Sequence, residues 1–142
     1  MNSSIQRYWI FGASKDSVKS SVAERIAQAS HGIASSLQLL RKGDFVIYYS
    51  GKQILGKPEI CQEFTAIGKV KDNCMFHVQM SENFCPSRRN IEIFQSKDIS
   101  ILPLINDLNF IKVKKSWGYP FRFGFFEIYQ YDFDLISALM HK

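Results

Sequence analysis

No apolar run in this chain approaches the about 20 residues needed to cross a bilayer, and residues 1–7 carry no hydrophobic stretch of the kind that directs secretion. The expected compartment is therefore the cytoplasm, with no membrane partner. Cysteine is scarce. Cys61, Cys74 and Cys85 are odd in number and irregularly spaced, which fits free thiols in a reducing compartment and predicts no disulfide. Motifs of catalysis are missing as well: there is no glycine-rich phosphate loop, nucleophile elbow, His-Glu-x-x-His or Cys-x-x-Cys. Cys74, His77 and Cys85 do not suggest zinc, because strand positions 74 and 77 point to opposite faces. No metal, no cofactor and no catalytic residue are expected.

What is present is one domain's worth of chain, residues 1–142, without repeats, low-complexity tracts or a linker long enough to divide it. A chain of this size buries about two-thirds of its unfolded surface and folds without staples. Strand signals, short and β-branched or aromatic, recur at 7–12, 44–50, 64–70, 75–80 and 91–94. Val18, Val22, Ile26 and Ala29 follow a helical stripe, with Ser14 or Asp16 available as its cap. A shorter helix is predicted from Ser35 or Ser36 to Leu40, another from Pro103 through Leu108, and a last one capped by Asp132 with Phe133, Ile136, Leu139 and Met140 on one face. Short strands without regular βαβ alternation predict an α+β domain around a small, strongly bent sheet or barrel.

Charge and aromatics converge on one segment. The net charge is +5, and nine of the 20 aromatic residues fall between Trp117 and Phe133. Between Leu108 and Phe126 the chain carries Lys112, Lys114, Lys115 and Arg122 and no acidic residue. Cations interleaved with flat rings are what an unpaired base and its phosphate require: the rings stack on the base while the amines neutralise the backbone. Arg88 and Arg89, after the turn at Pro86, are expected to extend this positive surface. The competing reading sends Phe121, Phe123 and Phe125 into the core in strand-like alternation and leaves the lysines as a solvated rim. Trp9 shares strand parity with Arg7 and Phe11, which leaves it either a cavity wall or a core residue. His31, at a helix end before Gly32, is either a hydrogen-bonded structural residue or a polar contact to a ligand.

Tyr8-Trp9-Ile10, His31-Gly32, Lys42-Gly43-Asp44, Tyr48-Tyr49-Ser50, Phe64-Thr65-Ala66-Ile67-Gly68 and the block from Trp117-Gly118-Tyr119-Pro120 to Phe121-Arg122-Phe123-Gly124 together resemble the EVE domain. The resemblance spans nearly the whole chain, and its final block is the most specific part. It implies a PUA-like fold, a small mixed β-barrel with flanking short helices, related to YTH and ASCH domains. It further implies a non-enzymatic nucleic-acid-binding module that recognises a modified or flipped base of DNA or RNA in an aromatic pocket. Carried over by position, that pocket comprises Trp9, Ser14, His31, Tyr49, Ser50, Trp117 and Phe121, with Arg122 and the lysines at 112–115 near phosphate. The expectation is specific: Trp9 and Trp117 meet as opposing walls of a slot for one planar heterocycle. Two alternatives stand beside it. One is a hydrolase of modified nucleosides, as in some ASCH relatives, with Glu63, Lys69 and Tyr49 as its only plausible chemical groups. The other is a protein-interaction module that uses the aromatic surface.

Overall fold

The computed structural model describes residues 5–29 and 37–142. The first strand, β1 (Tyr8–Gly12), alternates its large side chains between two faces and is flanked on both sides. It pairs in parallel with β3 (Phe45–Lys52) and antiparallel with β7 (Phe125–Ile128). The long β4 (Ile60–His77) adds to the far side of β3, then β5 (Ser87–Ile93) and β2 (Ile26–Ala29); the short β6 (Ile99–Ser100) pairs with the start of β4. The order β2-β5-β4-β3-β1-β7 is an open path, so the α+β class holds while the expected barrel is left unclosed among the described strands.

Both faces of the sheet are apolar. Trp9, Phe11, Val46, Tyr48, Ile91 and Phe125 occupy one face, together with Val18 of α1 (Lys15–Glu24). Ile10, Ile47, Phe64, Ile67 and Ile128 occupy the other, covered by Phe133, Ile136 and Met140 of α2 (Gln130–Met140) and by Leu104 and Leu108. Period-two alternation along β1 and β3 therefore serves two cores at once. No helix among the described residues is long and apolar enough to cross a membrane.

Several local expectations change. The helical stripe from Val18 stops at Glu24, because Arg25 adopts left-handed backbone (φ 58°) and donates its N–H to Ser21 and Val22 carbonyls. Ile26 and Ala29, which complete the stripe in sequence, instead form a strand against β5, where burial of Ile26, Ala27 and Ala29 outweighs helical spacing. The expected strands at 64–70 and 75–80 join in one, β4, with a register shift between Val70 and Met75, and β4 ends at His77, leaving residues 78–80 outside it. Asp72 stabilises that irregularity: its carboxylate accepts from the Cys74 N–H and the Asn90 amide, at 3.0 and 3.1 Å. Pro103 lies in a 3-10 turn, Leu102–Leu104, rather than a longer helix. Asp132 does not cap α2, whose flanking residue is Tyr129; its buried carboxylate accepts the Asn109 and Phe110 N–H groups, both at 2.8 Å. The helix expected up to Leu40 begins outside the described residues; residues 37–39 form a 3-10 turn.

Gly68 is required by close packing between β4 and β5. A Cβ there would lie 2.5 Å from Ile91 Cγ2 and 2.6 Å from the Glu92 carbonyl oxygen, and backbone cannot yield as a side chain can. Gly68→Ala is expected to lower stability by about 3 kcal/mol, whereas Gly118→Ala, with nothing within 4 Å of the added carbon, is expected to stay within about 0.5 kcal/mol. The urea midpoints of the two variants check this.

Candidate functional site

The segment that concentrates rings and cations forms two 3-10 turns, Lys114–Ser116 and Tyr119–Phe123, and ends at Gly124, whose left-handed backbone (φ 70°) swings the chain into β7. Three residues per turn replace the alternation of a strand, so Phe121 and Phe123 part company. Phe121 turns inward and stacks on Tyr49, ring centroids 3.9 Å apart, with its edges on Phe110 and Phe126. Phe123 is 60% exposed and stands edge-on to Tyr119, itself 56% exposed.

Between this segment and β7 lies a groove of about 800 Å³. Phe110, Tyr119, Phe123, Phe126 and Tyr129 supply its rings. Asn109, Lys112, Ser116 and Glu127 supply polar groups at its wall. Asp132 also lines it, with its carboxylate committed to the loop at 109–110. Of the four cations of the segment, Lys112 and Lys115 are exposed and form no hydrogen bond or ion pair among the described residues. The Arg122 guanidinium lies 5.7 Å from the Tyr119 ring centre. Lys114 is spoken for: its ammonium donates to the Ile105 and Leu108 carbonyls at 3.0 and 2.9 Å.

The other residues expected at a site are placed as follows. Trp9 is 4% exposed; its indole N–H donates to Asp44 Oδ2 at 3.1 Å and its ring stacks on Phe125, centroids 4.9 Å apart. Trp117 packs, half-buried, against the opposite core with Tyr49 and Phe121. The two indoles thus belong to different faces of the sheet and wall no common slot, because Asp44 fixes Trp9 inward. Tyr49 is buried beneath Phe121, and burial, then the neighbouring Cys61, pushes its hydroxyl pKa far above the ordinary phenol value. Ser50 is fully buried and shares a 2.8 Å hydrogen bond with Thr65. Ser14 precedes α1, where its hydroxyl binds the side chains of Asp16 and Ser17. His31 lies outside the described residues.

Arg88 and Arg89 do not extend a positive surface. β5 is enclosed between β2 and β4, and both side chains are buried there. Arg88 bonds Gln28 and Glu24, at 2.7 and 3.0 Å. Arg89 donates to the Leu37, Leu40 and Asp72 carbonyls at 2.6–2.7 Å, while burial draws its pKa below the ordinary value. The groups considered for hydrolysis are dispersed. Glu63 pairs across from Ser50 and Lys69 from Phe45, which separates the two by six strand residues, about 20 Å. Glu63 and Asp98 both bind Lys15, at 3.4 and 3.0 Å, and the Asp98 hydrogen bond chiefly holds that ammonium above its ordinary pKa. The Cys61 thiol is pushed up to about 11, first by burial and then by Glu63, so it is protonated at neutral pH.

Sequence reasoning found Lys112, Tyr119 and Phe123 as part of the segment but missed Phe110, Phe126, Glu127 and Tyr129. Only the loop's return alongside β7 brings these to the same groove.

The family model of the EVE domain matches residues 7–139. The chain belongs to the EVE domain family. A UPF0310 protein of Mycolicibacterium vanbaalenii is 39% identical to this EVE domain over 132 residues, 93% of this chain and 91% of the relative. A UPF0310 protein of Bacillus licheniformis is 43% identical over 129 residues, 91% and 88% of the two chains. Among solved structures, the YTH domain of Zygosaccharomyces rouxii MRB1 protein, in complex with N6-methyladenosine RNA, superposes with a TM-score of 0.61 at 14% identity, covering 100% of this chain and 91% of that one. A hypothetical protein from Leishmania major gives 0.63 at 10% identity, covering 94% of each. These likenesses show that the EVE domain shares its fold with both.

The distinction among the lysines is measurable. Lys114→Ala is expected to cost about 1 kcal/mol of stability, since two backbone carbonyls lose a charged donor, while Lys112→Ala and Lys115→Ala stay within about 0.5 kcal/mol. Urea titrations of the three variants give the comparison.

Proposed function

We propose that this EVE domain binds single-stranded DNA or RNA and holds one unpaired, modified base in the groove between the 3-10 turns and β7. The observation that carries the reading is the coincidence of exposed rings and exposed cations: Tyr119, Phe123 and Tyr129, the last 83% exposed, border the groove with Lys112, while Lys115 and Arg122 lie in the same ring-and-cation segment, Arg122 against the Tyr119 ring. Rings of this size are ordinarily buried, each for about 2 kcal/mol, so leaving three in solvent favours an apolar ligand. Stacking of one base on such a ring contributes about 1–3 kcal/mol. Tyr49, Phe121 and Trp117 act from beneath, as the rigid packing on which Phe110 and Phe126 rest. An added methyl gains about another 1 kcal/mol from an apolar wall, so preference for a modified base is modest. The fold shared with a YTH domain solved on methylated RNA supports nucleic acid as the ligand class. A net charge of +5 suits a short footprint.

A peptide laid along the groove is the second reading, favoured by the same apolar lining and by the position of β7 at the sheet edge. Salt separates the two. Fluorescence anisotropy of labelled single-stranded hexamers, with and without a methylated base, is expected to report binding that weakens with salt. Lys112→Ala, Lys115→Ala or Arg122→Ala should each reduce the log–log salt slope by about 0.7. Phe123→Ala or Tyr119→Ala should weaken binding by about 1–3 kcal/mol. Absence of binding, or binding indifferent to both rings and salt, would overturn the nucleic-acid reading.

A further inference from the structure

β7 closes one side of the groove and is the last strand of the sheet, so one row of its backbone groups faces away from β1. Which residues own that row follows from a single hydrogen bond. Gly12 donates its N–H to the Gly124 carbonyl at 2.7 Å. The register pairs Phe11 with Phe125, Ile10 with Phe126, Trp9 with Glu127 and Tyr8 with Ile128. In an antiparallel ladder, bonded and non-bonded pairs alternate, so Phe126 and Ile128 spend their N–H and C=O groups on β1 while Glu127 turns both of its own outward. Glu127 lines the groove, and neither its N–H nor its C=O has a partner among the described residues. Side-chain alternation sends Phe126 and Ile128 into the core beside the groove and puts the Glu127 side chain on the face of Phe125. The main chain of Glu127, not its carboxylate, is therefore what the groove presents.

An adjacent donor and acceptor on one extended residue complement an adjacent acceptor and donor on a flat ring. Every nucleobase carries such a pair on its Watson–Crick edge, and in an unpaired strand that edge is free. Resting on the base-binding reading above, we infer that the main-chain N–H and C=O of Glu127 pair with the Watson–Crick edge of the bound base. The ligand class is thereby narrowed to bases whose modification lies away from that edge. A methyl on the opposite side of the ring points from β7 toward the aromatic wall, where it is accommodated. A methyl on the ring N–H of the Watson–Crick edge removes the donor and holds the ring off the strand.

Isomeric methyl groups make the test. Single-stranded hexamers carrying one base among abasic positions are titrated by fluorescence anisotropy, the base being uracil, 5-methyluracil or 3-methyluracil, with guanine and 1-methylguanine as a second neutral pair. Uracil and 5-methyluracil are expected to bind alike within a few-fold. Blocking the edge, in 3-methyluracil or 1-methylguanine, is expected to weaken binding roughly tenfold, the loss of two hydrogen bonds. Glu127→Pro removes the outward N–H without touching the ladder, a substitution that edge strands tolerate. It should abolish the discrimination, and Glu127→Ala, which keeps the main chain intact, should preserve it. Equal binding of blocked and unblocked bases overturns the inference and leaves base binding standing. Discrimination lost in Glu127→Ala assigns the edge to the carboxylate and likewise overturns it. If no hexamer binds, the base-binding reading itself falls. Should Glu127→Pro fail to fold, the methyl isomers decide alone.

Discussion

The buried carboxylate of Asp44 is the constraint on which the rest of this architecture depends. It accepts three N–H groups at once, from the Trp9 indole and from the backbones of Arg7 and Arg41, at 3.0–3.2 Å. Those donors belong to the start of β1, its central ring and the turn that launches β3. The same residue's backbone carbonyl receives the Val70 N–H from β4. One side chain thereby sets the register of β1 on β3, the parallel pairing one strand in from the β7 edge. A buried charge is tolerable only when its acceptor capacity is met, and here it is met by groups the turn would otherwise leave unpaired. Once Trp9 is directed at Asp44, it stacks on Phe125 and locks β7 to the other side of β1.

The groove is a product of that arrangement. With Phe125 drawn into one core, Phe126 and Ile128 must enter the other, and the chain before them has to pass over that second core to reach Gly124. It does so in 3-10 turns tied down by Asp132 and Lys114, which hold the loop at 109–110 and the carbonyls at 105 and 108. Tyr49 and Phe121 fill the space beneath, and the surface rings are those that three-residue periodicity leaves outside.

How far the sequence disclosed this depends on the range of the determining contact. β1, β3 and the end of β5, Ile91–Ile93, were legible because alternation of β-branched and aromatic residues is a local signal. β2 was not: Ile26 and Ala29 continue a helical stripe, and only pairing with Asn90 and Ser87, some 60 positions later, makes them a strand. Residues 71–74, Lys-Asp-Asn-Cys, have turn composition, yet Asp72 and Asn90 keep β4 running through them. Trp9 could not be placed by parity alone because its partner, Asp44, is 35 residues away. Arg88 and Arg89 looked like surface charge, since nothing nearby signals a strand on either flank. The ring-and-cation segment was visible as composition, but its path was not. A run with rings at 117, 119, 121 and 123 reads as period two, whereas Pro120 and the left-handed Gly124 bend it into tighter turns.

The open edge of β7 also bears on how copies of the domain behave in concentrated solution. An unpaired strand beside exposed rings is a template onto which another chain can zip, the first step toward strand exchange or fibrous aggregates. Here that hazard is limited by brevity. β7 spans four residues before Tyr129 and α2 carry the chain out of the sheet plane, so an invading strand finds only a short stretch to copy. Colloidal behaviour, and not only ligand choice, is thus bound to the abrupt ending of one strand.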